Sequence, residues 1–203
     1  MDKDRAVRQL KRLEKLGGEM RLAAEGWNSE WKILVTTIMS AQTKDETTIP
    51  VAQGLFKRYG SVRKLARAKV SDVEKLIRGV NYYKTKARNV VSCCKVLVDR
   101  YNGKVPSDLD LLVKLPGVGR KTGNVFLSSL GKDAIGVDTH VHYCSNYLGW
   151  VKSKYPEKSE VQLMDLFPKR YWSRINDALV RFGKNYTSKK EKNRILDEVR
   201  AIR

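Results

Sequence analysis

The stretch LPGVGRKT, residues 115–122, places a lysine beside a glycine-rich turn, where its amine can hold a phosphate or act as a nucleophile. The phosphate-binding loop of nucleotide triphosphatases requires G-x-x-x-x-G-K-[ST] directly after a β-strand. Here Arg120 separates Gly119 from Lys121, and the preceding residues 107–114 have a helical pattern. The sequence therefore disfavours an ATPase. Two roles remain open for Lys121: a contact with a phosphate, which is the commoner role, or action as a nucleophile.

The same stretch is typical of a helix-hairpin-helix, with a short turn between a helix that ends at Lys114 and one that begins at Gly119. Pro116 fixes the chain direction, and Gly117 lets the backbone approach another surface closely. The first-turn N–H groups of the second helix point outward at the positive end of its dipole, where a phosphate can bind. A tight turn between packed helices is the alternative. We expect a DNA-backbone contact formed by Leu115, Gly117, Val118, Gly119, Arg120 and Thr122.

Two influences on Lys121 oppose each other at this position. The helix dipole disfavours an ammonium and favours the nucleophilic amine, whereas a nearby carboxylate would do the opposite. Asp138 follows 138 − 121 = 17 residues later and precedes an apolar-periodic segment, so its simplest interpretation is a helix N-cap. His140 and His142 have no third ligand residue nearby, and a metal site is therefore not indicated.

Composition indicates a globular protein with a polyanionic partner. The chain has 41 Lys+Arg against 22 Asp+Glu, a net charge of +19, and 41% hydrophobic residues suffice for a core. Basic side chains gain affinity for nucleic acid by displacing counterions, although a basic surface serving solubility or ribosome association is an alternative. Without a long apolar run or a signal-peptide core, we expect no membrane partner and an intracellular location, cytoplasmic and nucleoid-associated if prokaryotic. Three cysteines lack metal-binding spacing and are expected to be reduced.

Apolar residues recur at helical spacing nearly everywhere, and alternation with period two is scarce. Capping boxes at Ser71 and Ser159, and a weaker one at Ser107, indicate helix starts. Asn102-Gly103 and Gly131 are suited to helix ends. The sequence predicts an all-α protein with helices near residues 3–16, 29–42, 46–58, 61–67, 71–78, 84–101, 107–114, 119–130, 138–149, 159–166, 171–183 and 188–202.

LPGVGRKTGNV followed by VDTHV resembles the endonuclease III branch of the helix-hairpin-helix DNA glycosylases. SAQTKD at residues 40–45 and KTKARN at residues 84–89 are similar to that family's S-A-Q-x-x-D and N-S-K-A-x-N. The resemblance runs from about Trp31 to Gly183. It implies a two-lobed all-α fold with the DNA lying across a cleft between the lobes. The central lobe would span 25–135, with the hairpin at 107–130, and the second lobe would combine 1–24 with 136–203.

The resemblance also implies roles for individual residues. Lys121 falls at the family's catalytic lysine and Asp138 at its catalytic aspartate. Gln42 falls on the glutamine that fills the gap left by the flipped nucleotide. Tyr82 lies where the family has a leucine that wedges into the base stack, and this departure leaves the wedge assignment and the opposite base open.

A second departure concerns the iron–sulfur cluster that the family often carries near its C-terminus. No cysteine follows Cys144, and Ser188 stands where the first cluster cysteine would be. A cluster needs thiolate ligands, so no iron–sulfur cluster or other cofactor is expected. Apolar packing would then hold the C-terminal lobe, through Ile175, Leu179, Phe182, Ile195, Leu196 and Val199.

The resemblance implies a bifunctional DNA glycosylase and abasic-site lyase that excises damaged bases, with pyrimidines expected, from duplex DNA. The base would be extruded, and Lys121 would attack C1′ to give a Schiff base and β-elimination. Asp138 would deprotonate Lys121 or stabilise the cationic sugar. A glycosylase for thymine or uracil mispaired with guanine is one alternative, and a non-catalytic DNA-binding hairpin protein is another. The expected partner is damaged or mismatched double-stranded DNA, bound by a monomer.

Overall fold

The computed structural model describes residues 2–203, and every regular element in that range is a helix. Residue 1, which the sequence analysis assigns to the second lobe, lies outside the described part. No helix within residues 2–203 is both long enough and apolar enough to cross a membrane. The elements are α1 Lys3–Gly17, α2 Glu30–Ser40, α3 Asp45–Arg58, α4 Val62–Ala66, α5 Val70–Leu76, α6 Tyr83–Tyr101, α7 Leu109–Leu112, α8 Arg120–Ser129, α9 Thr139–Leu148, α10 Pro156–Leu166, a 3₁₀ helix Lys169–Tyr171, α11 Trp172–Asn185 and α12 Lys189–Arg200.

The predicted all-α class is confirmed, and each predicted helix is present with small shifts at its ends. The three capping boxes were wrong as helix starts, and α7 is capped by Asp108, one residue after Ser107. Helix α10 begins at Pro156, because a proline at the first helical position already has the required φ and lacks only an N–H that would be unpaired there. Ser159 therefore lies inside α10. Helix α5 likewise begins at Val70, one residue before the predicted cap at Ser71.

The described residues divide into two compact units, which we call the central unit, residues 21–126, and the terminal unit, residues 2–20 together with 127–203. The second division falls inside α8, between Phe126 and Leu127. The boundary expected from the sequence lies later, after residue 135. The last turn of α8 and the segment leading to α9 thus belong with the terminal unit.

The central unit is built around α2 and α6. Residues 33–39 of α2 are all buried, and α6 contacts α2, α4 and α5. Trp27 and Trp31 both meet the ring of Phe56 edge-on, with centroid separations of 5.0 and 5.1 Å. Edge-to-face contacts of this kind fix the angle between aromatic rings as well as burying area. These contacts join the start of α2, and Trp27 just before it, to the C-terminal half of α3.

The terminal unit packs α1 and α9 against the last two helices. The six apolar residues predicted to hold this part together are all buried, which confirms the expected apolar faces of α11 and α12. In its interior, the indole N–H of Trp150 donates to the side-chain oxygen of Gln9 at 2.7 Å. Two tyrosines add polar contacts, since Tyr143 donates to Asn193 and Tyr147 donates to Asp197. These bonds join α9 to α12 at two points one helical turn apart.

Candidate active site and nucleic-acid interface

The hairpin turn between α7 and α8 depends on glycine at one position. Val118 N–H donates to the carbonyl of Leu115 at 3.1 Å, and Gly117 has φ +80°, as in a turn that needs a left-handed residue. A Cβ on Gly117 would lie 2.8 Å from Cβ of Asn89 on α6. The side chains of Leu115 and Val118 are 3% and 5% exposed, so they anchor the turn and leave only their backbone to face a ligand.

The start of α8 leaves its backbone open to a ligand. A Cβ on Gly119 would meet no atom within 4 Å, and the first intrahelical bond runs from Gly123 N–H to Gly119 C=O at 2.9 Å. The N–H groups of Lys121 and Thr122 precede that bond and have no acceptor within the helix. They lie at the positive end of the helix dipole, which is the arrangement that binds an anion. The side chain of Lys121 is exposed beside them.

Gln42 and Tyr82 form the tips of two adjacent loops in the central unit. Both have positive φ, +53° and +56°, and together with Asn102 they are the only non-glycine residues within 2–203 that do. Tyr82 is 68% exposed, and Gln42 is exposed as well. A left-handed conformation costs about 1–2 kcal/mol for a residue with a Cβ. Such strain concentrates at functional sites, where surrounding structure holds it in place.

Asn81 joins these two loops. Its backbone N–H donates to the hydroxyl of Thr43 at 3.1 Å, and its side-chain amide donates to the carbonyl of Gln42. The structure thus brings the predicted gap-filling and wedge residues to one edge of the central unit. No local sequence pattern indicates this role for Asn81, because the contact spans 39 residues along the chain.

Lys86, in the first turn of α6, is a buried cation that the sequence analysis also left without a role. Its side chain is nearly inaccessible, with the residue 6% exposed, and the ammonium donates to Met39 C=O at 2.7 Å and to Ala41 C=O at 2.6 Å. It also donates to the hydroxyl of Thr43 at 2.9 Å. Burial lowers the pKa of Lys86 to about 8.

Asp138 lies in the terminal unit and caps α9, as the simplest interpretation of the sequence proposes. Its Oδ1 accepts from the backbone N–H of Val141 at 2.9 Å. The side-chain amide of Asn176 donates to the carbonyl of Gly136 at 2.7 Å and fixes the segment that leads to Asp138. The carboxylate is half-buried, and its position follows from the helix terminus and not from a salt bridge among residues 2–203.

The ring of His140 packs against α11, and the ring of His142 contacts polar side chains. The ring of His140 lies so close to Gly183 on α11 that a Cβ there would be 2.1 Å from its Nδ1. Nδ1 of His142 lies 2.9 Å from the hydroxyl of Ser159. This contact explains why Ser159 is buried inside α10.

The cysteines do not fit an iron–sulfur cluster. A cluster takes four thiolates, whereas the chain has three cysteines: Cys93 and Cys94 on α6, and Cys144 on α9. All three are buried, and burial raises the pKa of Cys93 and of Cys144 to about 12. At neutral pH they are thiols, which are poor metal ligands.

Comparison with known proteins places this chain among DNA repair proteins. The profile of the HhH-GPD superfamily of base excision DNA repair proteins matches residues 35–169. The chain belongs to this superfamily. Endonuclease III of Thermotoga maritima is 43% identical over 155 residues, which cover 76% of this chain and 73% of that protein. Endonuclease III of Bacillus subtilis is 36% identical over 161 residues, covering 77% and 73%.

Solved structures give the same result at the level of the fold. A trapped covalent intermediate of endonuclease III with DNA matches with a TM-score of 0.83 and 33% identity, over 93% of this chain and 89% of that one. A thermostable thymine-DNA glycosylase matches with a TM-score of 0.77 at 18% identity, over 92% and 90%. The first confirms the endonuclease III-like family, and the second shows likeness of fold alone.

Proposed function

We propose that Lys121 is the nucleophile, and Asp138 the assisting carboxylate, of the reaction that this protein performs on DNA. The protein is a base excision repair DNA glycosylase with abasic-site lyase activity, as its superfamily and its identity to endonuclease III establish. One observation carries the assignment of the nucleophile: Lys121 is exposed in the first turn of α8, directly after an unobstructed glycine backbone. An amine there lies beside the place where a phosphate of the target strand would be held.

In the proposed complex, the hairpin backbone and Arg120 grip phosphates without reading sequence. The reacting sugar carbon is unreachable inside the stack, so the target nucleotide must leave the duplex. Gln42 offers both a donor and an acceptor to the bases around the gap, and the ring of Tyr82 offers a flat face on which a base can stack. The protein would act as a monomer on duplex DNA that carries a damaged base, with pyrimidines as the proposed class.

The chemistry assigned to Lys121 has four steps. The neutral amine attacks C1′, the glycosidic C–N bond breaks, and the base leaves with the electron pair and takes up a proton. The sugar ring opens to an imine between Nζ and C1′. Loss of a proton from C2′ then expels the 3′ phosphate, and water hydrolyses the imine. Asp138 would accept the ammonium proton or stabilise positive charge on the sugar, which is where a fixed carboxylate lowers the barrier.

Borohydride trapping on a duplex with an abasic site tests this assignment. Wild-type protein is expected to become covalently fixed to the DNA, because borohydride reduces the imine. Lys121→Gln should abolish trapping and strand cleavage while duplex binding persists. Lys132→Gln, an exposed lysine just after α8, is the charge-matched control and should still trap. If Lys121 only holds a phosphate, Lys121→Gln should instead weaken duplex binding by about 1–3 kcal/mol and leave trapping intact.

We also propose that the protein works without an iron–sulfur cluster. Support comes from the cysteine count and from the terminal unit, where apolar packing and the Tyr143 and Tyr147 bonds join α12 to α9. Purified protein should lack visible iron–sulfur absorption and keep its activity after treatment with a chelator. Iron bound in stoichiometric amount would refute the proposal.

A further inference from the structure

The ammonium of Lys86 donates all of its hydrogens to the C-terminal end of α2 and the turn that follows it. Its three donors match three acceptors within 3 Å, namely the carbonyls of Met39 and Ala41 and the hydroxyl of Thr43. Burial lowers the pKa of Lys86 to about 8, so at neutral pH the ammonium, with one hydrogen for each acceptor, remains the prevailing form. The neutral amine has only two hydrogens and would leave one acceptor unpaired.

The acceptors need this cation because they stand at the end of a helix. Helix α2 ends at Ser40, so the carbonyl of Met39 has no intrahelical partner and lies at the negative end of the helix dipole. The carbonyl of Ala41 belongs to the turn that follows. A buried carbonyl without a hydrogen bond is costly, and a charged donor satisfies it more strongly than a neutral one.

Thr43 connects Lys86 to the loop that carries Asn81 and Tyr82. Its hydroxyl accepts from Lys86 and from the backbone N–H of Asn81, and it donates weakly to the carbonyl of Ala41 at 3.4 Å. Both lone pairs and the hydroxyl hydrogen are therefore in use. The backbone of Lys86 itself donates to the carbonyl of Tyr82 at 3.0 Å. One residue thus contacts both loops, directly at Tyr82 and through Thr43 at Asn81.

We infer that Lys86 is a positioning residue for DNA recognition, whose ammonium holds Gln42 and Tyr82 in the left-handed conformations from which they enter the duplex at the extruded nucleotide. Lys86 is buried and does not touch the DNA, so it acts only through these two residues. The inference rests on the proposed function. A single buried charge thus stabilises Gln42 and Tyr82 from inside the central unit.

The test compares two affinities of each variant, one for a duplex with a stable abasic analogue (tetrahydrofuran) and one for the same duplex undamaged. Lys86→Met keeps the length of the side chain and removes the donors. It should lower affinity for the tetrahydrofuran duplex by about tenfold or more, as expected when a charged buried hydrogen-bond set is lost. Affinity for undamaged duplex should change no more than in Lys95→Met, which removes an exposed lysine from the same helix.

Two substitutions of Thr43 test the same inference if Lys86→Met fails to fold. Thr43→Val removes the shared hydroxyl and should lower the preference for the tetrahydrofuran duplex, whereas Thr43→Ser should retain it. A 2-aminopurine placed opposite the tetrahydrofuran site should change its emission with wild-type protein and much less with Lys86→Met. An equal loss of both affinities, or an unchanged preference, would overturn the inference. If wild-type protein itself showed no preference, the proposed function would be wrong instead.

Discussion

The two units present their candidate functional groups on opposite kinds of backbone. In the central unit, Gln42 and Tyr82 sit in left-handed conformations, and the hairpin turn requires Gly117. In the terminal unit, Asp138 has an ordinary extended φ of −98° and caps a regular helix. The central unit therefore holds Gln42 and Tyr82 in backbone conformations that residues with a side chain disfavour, and buried polar contacts support them. The terminal unit holds Asp138 in a conformation that any residue adopts.

This difference matches the roles proposed for these groups. A side chain that enters a duplex must project from the surface, and tight left-handed turns provide such a projection at a cost of about 1–2 kcal/mol each. A carboxylate that stabilises charge needs a fixed position, and helix capping supplies one with no strain. Substitutions of Gln42 and Tyr82 should therefore change recognition more than stability, and most substitutions in the terminal unit should do the reverse. Asp138 is the exception.

The largest effect in the terminal unit is expected from Asp138→Asn. Asparagine caps a helix as well as aspartate does, so the thermal midpoint should change little. Base excision should nevertheless slow by about two to four orders of magnitude, because the charge that acts on the transition state is gone. Single-turnover kinetics and thermal unfolding measure the two quantities. Asp2→Asn, which alters the N-cap of α1 in the same unit, is the control and should leave the rate unchanged. A normal rate in Asp138→Asn would remove Asp138 from the chemistry.

Leu196→Ala tests the claim that packing holds α12 in place. Leu196 is fully buried, and its truncation should lower the free energy of unfolding by about 2–5 kcal/mol. Urea unfolding followed by circular dichroism measures the change. Val161→Ala, at an exposed position on α10, should cost less than about 0.5 kcal/mol. Equal stability of the two variants would mean that α12 contributes little to the unit.

The smallest effect concerns the strain at Gln42. Gln42→Gly and Gln42→Ala both remove the side chain, so both should weaken binding to abasic-site duplex. Only glycine relieves the left-handed conformation, and Gln42→Gly should be more stable than Gln42→Ala by about 1 kcal/mol. Chemical unfolding of the two variants side by side gives the difference. Equal stabilities would show that the loop is not strained.

Local pattern sufficed for the helices and the hairpin. The 3.6-residue period, the Pro-Gly turn and the Asn102-Gly103 stop are properties of short stretches, and so is the cap formed by Asp138. The start of α10 was the clearest error, because Ser159 has the sequence of a cap while Pro156 is the stronger local signal.

The anchoring of the recognition loops could not be predicted in the same way. Residues 84–89 carry three basic side chains, and nothing in their spacing marks Lys86 as the buried one. Its acceptors lie 43 to 47 residues earlier in the chain and meet it only when α2 packs against α6. The contact between Gly117 and Asn89 and the bonds of Tyr143 and Tyr147 to α12 likewise join distant segments. Such contacts depend on tertiary structure, which single-sequence periodicity does not contain.

Because the terminal unit is made from both ends of the sequence, its assembly has to wait for translation. Helix α1 is synthesised early, yet Gln9 meets Trp150 and Glu14 meets Arg174, 141 and 160 residues later. At about 5–20 residues per second, the ribosome needs roughly 7–32 s to make those partners. The continuous central unit can complete its contacts during that interval. The apolar side of α1, with Leu10 and Leu13, meanwhile has no partner to cover it, so the nascent chain exposes an aggregation-prone surface at that stage.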